Sequence, residues 1–271
     1  MHETESGMEI SVIIAYYDKL LNLELLLAAF NRQSFKDFEV IVAEDNNDPK
    51  TQAFLDSKKG NYYFPILHVN QEEKIGFRKT TMLNKAVLIS SGNTLVFTDA
   101  DCIPHRQFLK EYKNNTQAGE FLFGRRVLLG KKTTEDIYDK KRASPPGFFP
   151  LLFSDSTLTK EGLYWPYSKL HFKERKLSGC NWGIRKDELL SVNGFDEDYA
   201  RPGVGEDHDV EWRLKLKGLK MKSMKNRAIV YHLYHPKNST KNDARFNDAL
   251  MAQKKEAQHV SCLNGIQKLK P

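Results

Sequence analysis

Four short apolar segments alternate with helical patterns along the first hundred residues, and this alternation constrains the fold more than any other feature. The segments are rich in β-branched residues and have few polar interruptions, as is typical of strands buried on both faces of a parallel sheet. Such strand–helix repeats predict right-handed βαβ units, in an α/β fold with an open, mostly parallel sheet flanked by helices. Asp18 is the expected N-cap of the first helix. The predicted strands are Met8–Ala15, Phe38–Ala43, Pro65–Val69 and Thr94–Thr98.

The second half of the chain is less regular. Residues 131–176 are rich in Pro, Gly and aromatic residues, which predicts a long, partly ordered excursion over the ligand-binding edge of the sheet. We interpret residues 1–240 as one domain and 241–271 as a helical, basic tail with a loose end. The further predicted elements are strands at Leu177–Ile184 and Ala228–Tyr231 and helices at Lys186–Ser191 and Asp207–Lys217.

Charge and cysteine content narrow the function classes. The 271 residues include 42 Lys and Arg against 35 Asp and Glu, a net charge of +7. This favours an anionic partner, but the basic residues are not clustered as in a nucleic-acid-binding protein, so no nucleic acid is expected. Three widely spaced cysteines match no disulfide framework, and residues 1–9 show no signal peptide. We therefore expect a cytoplasmic protein whose tail lysines are candidates for peripheral contact with the inner face of a membrane.

Polar residues follow three of the predicted strands, at the edge where open α/β sheets bind ligands. Tyr16 ends the first strand, Asp45 the second, and Asp99 and Asp101 the fourth. Two carboxylates this close repel each other unless a cation lies between them and a ligand. Mn²⁺ or Mg²⁺ bridging them to a diphosphate suits this pattern. The alternative is an acidic turn or helix cap that closes the strand.

A second acidic group, Glu206 and Asp207, opens the predicted helix near residue 207. One of these carboxylates is a candidate general base; the alternative is that both only complement the helix dipole. His232 and His235 follow the last predicted strand. An imidazole can join carboxylates in binding Mn²⁺. Because Pro236 makes a helical pair improbable, we expect one histidine ligand and not two.

Four further side chains are candidates for nucleotide or sugar contact. Asp45 can accept hydrogen bonds from a base or a ribose, or it can form an Asx-turn. Arg78 can pair with a phosphate, or it is a solvated charge at a helix start. Tyr16 and Trp182 can stack on a ring, or they are ordinary core aromatics.

Taken in chain order, the strands and candidate residues described above resemble those of a family 2 glycosyltransferase of the GT-A fold. This fold is a single Rossmann-like domain with a mixed, mostly parallel sheet. The resemblance covers residues 10–236. Its carboxyl half is similar to β-1,4-galactosyltransferases and chondroitin-type polymerases. The matching segments are Ser11–Tyr17, Glu39–Asp45, Gly76–Lys79, Leu83–Ala86, Phe97–Cys102, Ser178–Ile184, Gly194–Asp198, Gly205–Asp209 and Tyr231–Pro236.

The resemblance implies a role for each candidate residue. The donor-binding residues are Ala15, Tyr16, Asp45, Arg78 and Asp99. The metal ligands are Asp101 and His232. The catalytic pair is Asp207, the base, and Glu206, which also binds the acceptor together with Asn181 and Trp182. Residues 131–176 match no motif of the family, and we expect this excursion on the acceptor side of the site.

The implied activity is an inverting, metal-dependent transfer of a hexose or N-acetylhexosamine. The donor is a UDP-sugar and the acceptor is a hydroxyl of a glycan or lipid-linked saccharide, in surface polysaccharide synthesis. Two alternatives remain open: a sugar-phosphate nucleotidyltransferase, and a non-catalytic module that binds a nucleotide or glycan.

Overall fold

An eight-stranded mixed sheet forms the centre of the protein. The computed structural model describes residues 8–167, 169–172, 176–203, 205–236 and 240–270. The interpretation that no signal peptide is present concerns residues 1–9, of which 1–7 lie outside the described residues. In sheet order the strands are β3 (Ile66–Val69), β2 (Phe38–Glu44), β1 (Ile10–Tyr16), β4 (Thr94–Asp99), β9 (Asn181–Arg185), β6 (Glu120–Phe123), β10 (Lys220–Ser223) and β8 (His171–Phe172).

The first four strands run parallel, which confirms the predicted α/β fold. The strand order reverses direction between β1 and β4, so the crevice at their carboxyl ends is the expected ligand position. Strand β9 is antiparallel to both of its neighbours, and this makes the sheet mixed. A separate three-stranded sheet has the order β5 (Cys102–Pro104), β11 (Ile229–His232) and β7 (Arg125–Leu128).

Helices cover both faces of the large sheet, because alternate residues of its buried strands face opposite cores. Val12 and Val40 pack against α1 and α4, whereas Ile13 and Ile41 pack against α3 and α8. The α-helices are α1 (Leu20–Asn31), α2 (Pro49–Lys58), α3 (Lys79–Ile89), α4 (Phe108–Asn115), α5 (Lys131–Asp139), α6 (Phe148–Leu152), α7 (Lys186–Leu190), α8 (Glu206–Leu216) and α9 (Lys241–Ala257).

Two sequence predictions about helices need correction. Asp18 does not cap α1: Lys19 is the N-cap residue and provides no side-chain hydrogen bond. The excursion at 131–176 contains α5, α6 and a 3₁₀ turn at Thr159–Gly162. Ile137 and Leu151 from this excursion pack under the three-stranded sheet, so its described part is more ordered than expected.

The tail is helical as predicted, but its end is not loose. Asn193 donates hydrogen bonds to the carbonyl oxygens of Cys262 (2.7 Å) and Gln267 (2.8 Å). Lys254 pairs with Asp196 at 2.8 Å, so this lysine is engaged within the protein and is not a free membrane contact. None of the helices in the described part of the chain is both long and apolar enough to cross a membrane.

Candidate active site

The carboxyl ends of β1, β2 and β4 meet at one edge of the sheet. Ala15 pairs in register with Asp99, and Tyr16 with Glu44, so residues from three strands lie side by side. The Tyr16 ring is 4% exposed and packs in the core. The prediction that this ring stacks on a ligand is therefore wrong for this structure, and the exposed part of the edge is provided by Ala15 and the acidic residues.

Asp45 is fixed by a loop that folds back from β3. Its Oδ1 accepts hydrogen bonds from Gln71 Nε2 (2.6 Å) and from the Arg78 backbone N–H (2.7 Å). The loop turns at Gly76, whose φ of +93° favours glycine. Burial raises the pKa of Asp45 to about 6, although these two hydrogen bonds act to lower it. Asp45 and Arg78 therefore lie together, and the carboxyl is a positioned acceptor at neutral pH.

A cluster of three carboxylates surrounds the ammonium group of Lys79, the first residue of α3. Lys79 Nζ lies 3.1 Å from Glu206 Oε1 and 3.6 Å from Asp99 Oδ1. Burial alone would lower the pKa of Lys79, but the charges of Asp99, Glu206 and Asp207 raise it well above its usual value. Lys79 thus joins the end of β4 to the start of α8. A cavity of only about 10 Å³, room for about one water, remains between these groups.

Asp207, in the first turn of α8, carries the most perturbed carboxyl of this cluster. Burial and the neighbouring Glu206 charge raise its pKa from 3.8 to about 8. Its Oδ2 accepts a hydrogen bond from Gly179 N–H at 2.7 Å. A Cβ at position 179 would lie 2.5 Å from Asp207 Oδ1, so this approach requires glycine. A carboxyl whose pKa lies near neutral pH is suited to accept a proton during a reaction.

Glu206 is 2% exposed, and its second oxygen, Oε2, has no hydrogen-bond partner among the described residues. A buried carboxylate oxygen without a partner is unfavourable unless a ligand supplies a donor. The position of Glu206, beside Asp207 and paired with Lys79, leaves that oxygen for a hydroxyl donor.

Asp101, His232 and His235 form the second cluster of the site. Asp101 follows β4, His232 ends β11, and the backbone bond from Leu233 N–H to the Asp101 carbonyl (2.8 Å) holds the two segments together. Asp101 Oδ1 is 3.7 Å from His232 Nε2, and Oδ2 is 3.1 Å from His235 Nε2. The turn after β11 brings both imidazoles to Asp101, so His235 is a second candidate beside the one histidine ligand expected from the sequence.

The cluster fits a divalent cation. One ligand atom from each of the three residues lies within 4.8 Å of the others, close enough to share one ion with ligand distances of about 2.1 Å. Two imidazole nitrogens with one carboxylate suit Mn²⁺ better than Mg²⁺, which prefers oxygen ligands. The hydrogen bond to Asp101 raises the pKa of His235, and only the deprotonated imidazole can bind an ion.

Asn181 and Trp182 are not available to an acceptor. Asn181 is 2% exposed, and its side chain bonds to Tyr112 and to backbone carbonyls of β7 and the 224–228 turn. Trp182 is fully buried and stacks on Phe97, with ring centroids 4.5 Å apart. The prediction that these side chains bind an acceptor is therefore corrected: both support the end of β4 from inside.

Sequence reasoning missed Lys79 as a member of the site and did not include His235 among the expected metal ligands. The pair Arg78-Lys79 offers two adjacent cations, and only the orientation of α3 decides that Lys79 faces the carboxylates. His235 was visible as a candidate, but the path of the chain after β11 could not be read from the sequence. Both omissions concern tertiary geometry and not residue type.

Family models and a curated relative show which proteins this chain resembles. The model of glycosyl transferase family 2 matches residues 11–187, and a model described as the N-terminal domain of galactosyltransferase matches residues 163–236. Chondroitin synthase of Escherichia coli is 23% identical over 255 residues, which cover 86% of this chain and 36% of that protein. The chain thus spans about a third of the length of this relative.

Two solved structures share the fold. The crystal structure of S. aureus TarS 1-349 in complex with UDP has a TM-score of 0.63 and 18% identity, covering 91% of this chain and 65% of that one. The mannosyltransferase PcManGT from Pyrobaculum calidifontis, in complex with GDP-Man and Mn²⁺, has a TM-score of 0.61 and 16% identity, covering 93% and 65%. This is the GT-A glycosyltransferase fold. Since the family model matches well over half of the sequence, the chain belongs to glycosyl transferase family 2.

Proposed function

We propose that this glycosyltransferase transfers a hexose or N-acetylhexosamine from a UDP-sugar to a hydroxyl of a glycan or lipid-linked saccharide, with inversion and with the help of a divalent cation. One observation carries the proposal. The candidate metal cluster at Asp101 and the candidate base Asp207 lie at the same end of the sheet, joined through Asp99 and Lys79. The likeness to a chondroitin synthase supports a place in surface polysaccharide synthesis.

The donor is expected to lie along the edge formed by β1, β2 and β4. Asp45, ionised at neutral pH, accepts a hydrogen bond from the uracil, which the backbone of Ala15 and Tyr16 borders. Arg78 lies beside Asp45 and provides positive charge near the nucleotide. Asp99, which is partly exposed at the crevice, accepts hydrogen bonds from hydroxyls of the ribose or the donor sugar.

Catalysis in this proposal is one in-line displacement at the anomeric carbon. The acceptor oxygen forms the new bond, the bond to the UDP oxygen breaks, and the proton of the acceptor hydroxyl passes to Asp207. Glu206 orients the acceptor through Oε2, which has no hydrogen-bond partner among the described residues, and Gly179 N–H orients the base. A cation bound by Asp101, His232 and His235 would supply positive charge to the departing diphosphate.

Calorimetry tests the donor site directly. UDP should bind the protein more tightly with Mn²⁺ than in EDTA, and Asp101→Asn should remove most of that difference. Asp136→Asn is a matched control, because Asp136 is exposed on α5 and pairs with Arg142 at 3.6 Å. Equal UDP affinity with and without the metal would contradict the proposal. A screen of UDP-sugars for UDP release would then identify the donor.

A further inference from the structure

A cavity of about 380 Å³ lies beside the 178–180 segment, which also contacts the candidate base. Gly179 contacts Asp207, whereas its neighbours Ser178 and Cys180 line the cavity. Leu158 and Lys176, from the excursion at 131–176, form part of its wall. The volume is in the range of sites for small ligands. This cavity is larger than the space at Asp207 itself, and no role has yet been assigned to it.

The charge of the cavity is positive and only partly balanced. Among the residues that the structure describes, its lining includes Arg125, Arg126 and Lys176 and no acidic residue. Arg125 is neutralised by Glu161, with Nη2 and Oε1 2.6 Å apart. Neither Arg126 nor Lys176 forms an ion pair with any carboxylate in the ranges that the structure describes. Two cations therefore remain to attract an anion.

The hydrogen bonds of Arg126 leave part of its guanidinium group available to a ligand. Its Nη1 contacts Ser178 Oγ at 3.2 Å and Cys180 Sγ at 3.4 Å, and neither of these partners is a carboxylate. Its Nη2 has no hydrogen-bond partner among the described residues. A guanidinium that is fixed by one nitrogen and open at the other is arranged to bind a carboxylate or phosphate oxygen.

The strand register places this arginine on the catalytic side of the small sheet. Arg126 pairs with Val230, and Leu128 pairs with His232, in the parallel ladder of β7 and β11. Because residues two apart on a strand face the same side, Arg126 and His232 share a face. Arg126 therefore faces the same side of the small sheet as His232, and Gly179, between the cavity-lining residues Ser178 and Cys180, contacts the candidate base.

We infer that this cavity binds an anionic group of the acceptor saccharide, with Arg126 as the principal contact. The inference rests on the proposed function and specifies the acceptor class. The group is an oxyacid: the carboxylate of an acidic sugar, or a phosphate of a lipid-linked saccharide. We assign the anion to the acceptor because Leu158 and Lys176, from the excursion expected on the acceptor side, form part of the cavity wall.

Titration calorimetry with three probes tests the inference without requiring sugar transfer. The probes are methyl β-D-glucuronide, glucose 6-phosphate and the neutral methyl β-D-glucoside, each added to the protein with and without UDP and Mn²⁺. At least one acidic probe should bind more tightly than the glucoside. Preference for the glucuronide identifies an acidic sugar as the source of the anion, and preference for the phosphate identifies a phosphorylated acceptor. Failure of UDP to bind would contradict the proposed function alone, since the cavity is present without it.

Substitutions of Arg126 and Lys176 test which side chain binds the acidic group. Arg126→Met should weaken binding of the preferred acidic probe about tenfold or more, as expected for a hydrogen bond to a charged group, and leave glucoside binding unchanged. Arg126→Lys should retain part of the affinity, and Lys176→Met, a change outside the strands, should weaken it to a smaller extent. Arg185→Met is the matched control, because Arg185 already pairs with Asp187 at 2.7 Å. Equal binding of acidic and neutral probes, or undiminished acidic binding by Arg126→Met, would overturn the inference.

Discussion

Replacing Asp207 by Asn should make the protein more stable at alkaline pH while it abolishes transfer. Burial and the Glu206 charge raise the pKa of Asp207 from 3.8 to about 8. The folded protein therefore retains a proton that the unfolded chain has already released across this pH range. Protonated Asp207 stabilises the protein fully below the pKa that this residue has in the unfolded chain. This stabilisation is lost as the pH rises toward its pKa in the folded protein. Asn is neutral throughout and shows no such loss.

The size of the effect follows from the pKa difference. Each pH unit between the two pKa values changes the free energy of unfolding by about 1.4 kcal/mol. From pH 5 to pH 8, the advantage of Asp207→Asn over the wild type should grow by about 4 kcal/mol. For a chain of this size that corresponds to a growth of roughly 10 °C in the difference between melting temperatures. Asn can retain the hydrogen bond from Gly179 N–H, so lost contacts should not mask the effect.

Thermal unfolding of both proteins across this pH range is the assay. Asp187→Asn is the control with the opposite sign: the Arg185 side chain lowers the pKa of Asp187, so this variant should be less stable than wild type at neutral pH and equal at low pH. Transfer by Asp207→Asn should fall by about 10²–10⁴-fold, with UDP binding retained. Melting curves of Asp207→Asn and wild type that stay parallel at every pH would refute the reasoning about Asp207.

Three further predictions concern the surroundings of the site. Lys79→Met removes the charge that lowers the pKa of Asp207, so the rise of kcat/KM with pH should move to higher pH than in the wild type. His235→Ala should weaken Mn²⁺ binding about tenfold, measured by metal titration, and an unchanged affinity would leave Asp101 and His232 as the only protein ligands in the described cluster. Asn193→Gly preserves a backbone with φ of +64° but removes the bonds to the tail, and should lower the free energy of unfolding in urea by about 2–4 kcal/mol.

The sequence predicts the first half of the fold well because the signals there are local. Predicted and observed bounds of β1 through β4 differ by at most two residues, since each strand is a continuous β-branched run between turn signals. Strands β5, β6 and β10 contain only three or four residues each, too few for any periodicity to show. The prediction that Asp18 caps α1 is wrong, because Lys19 occupies the N-cap position and α1 begins without a side-chain cap.

The predictions for the candidate site also succeed where the signal is local and fail where tertiary packing decides. Asp101 could be predicted because it directly follows a strand, and strand ends converge in this class of sheet. The sequence analysis names Trp182 and Tyr16 as candidate ligand contacts, because a sequence does not distinguish an aromatic residue of the core from one that stacks on a ring. The roles of Lys79 and Arg126 depend on which way α3 and β7 face, and no local pattern encodes that.

Gly179 separates two regions of opposite charge, and this separation has a consequence for the proposed acceptor. On one side the charge of Glu206, next to Asp207, opposes an anion; on the other side Arg126 attracts it. An acceptor with one acidic group should therefore bind in a single orientation, with the acidic group at Arg126 and a hydroxyl edge toward Asp207. A neutral acceptor lacks this constraint, so it would present several hydroxyls to the base. Charge separation across one glycine would then select both the class of acceptor and the hydroxyl that reacts.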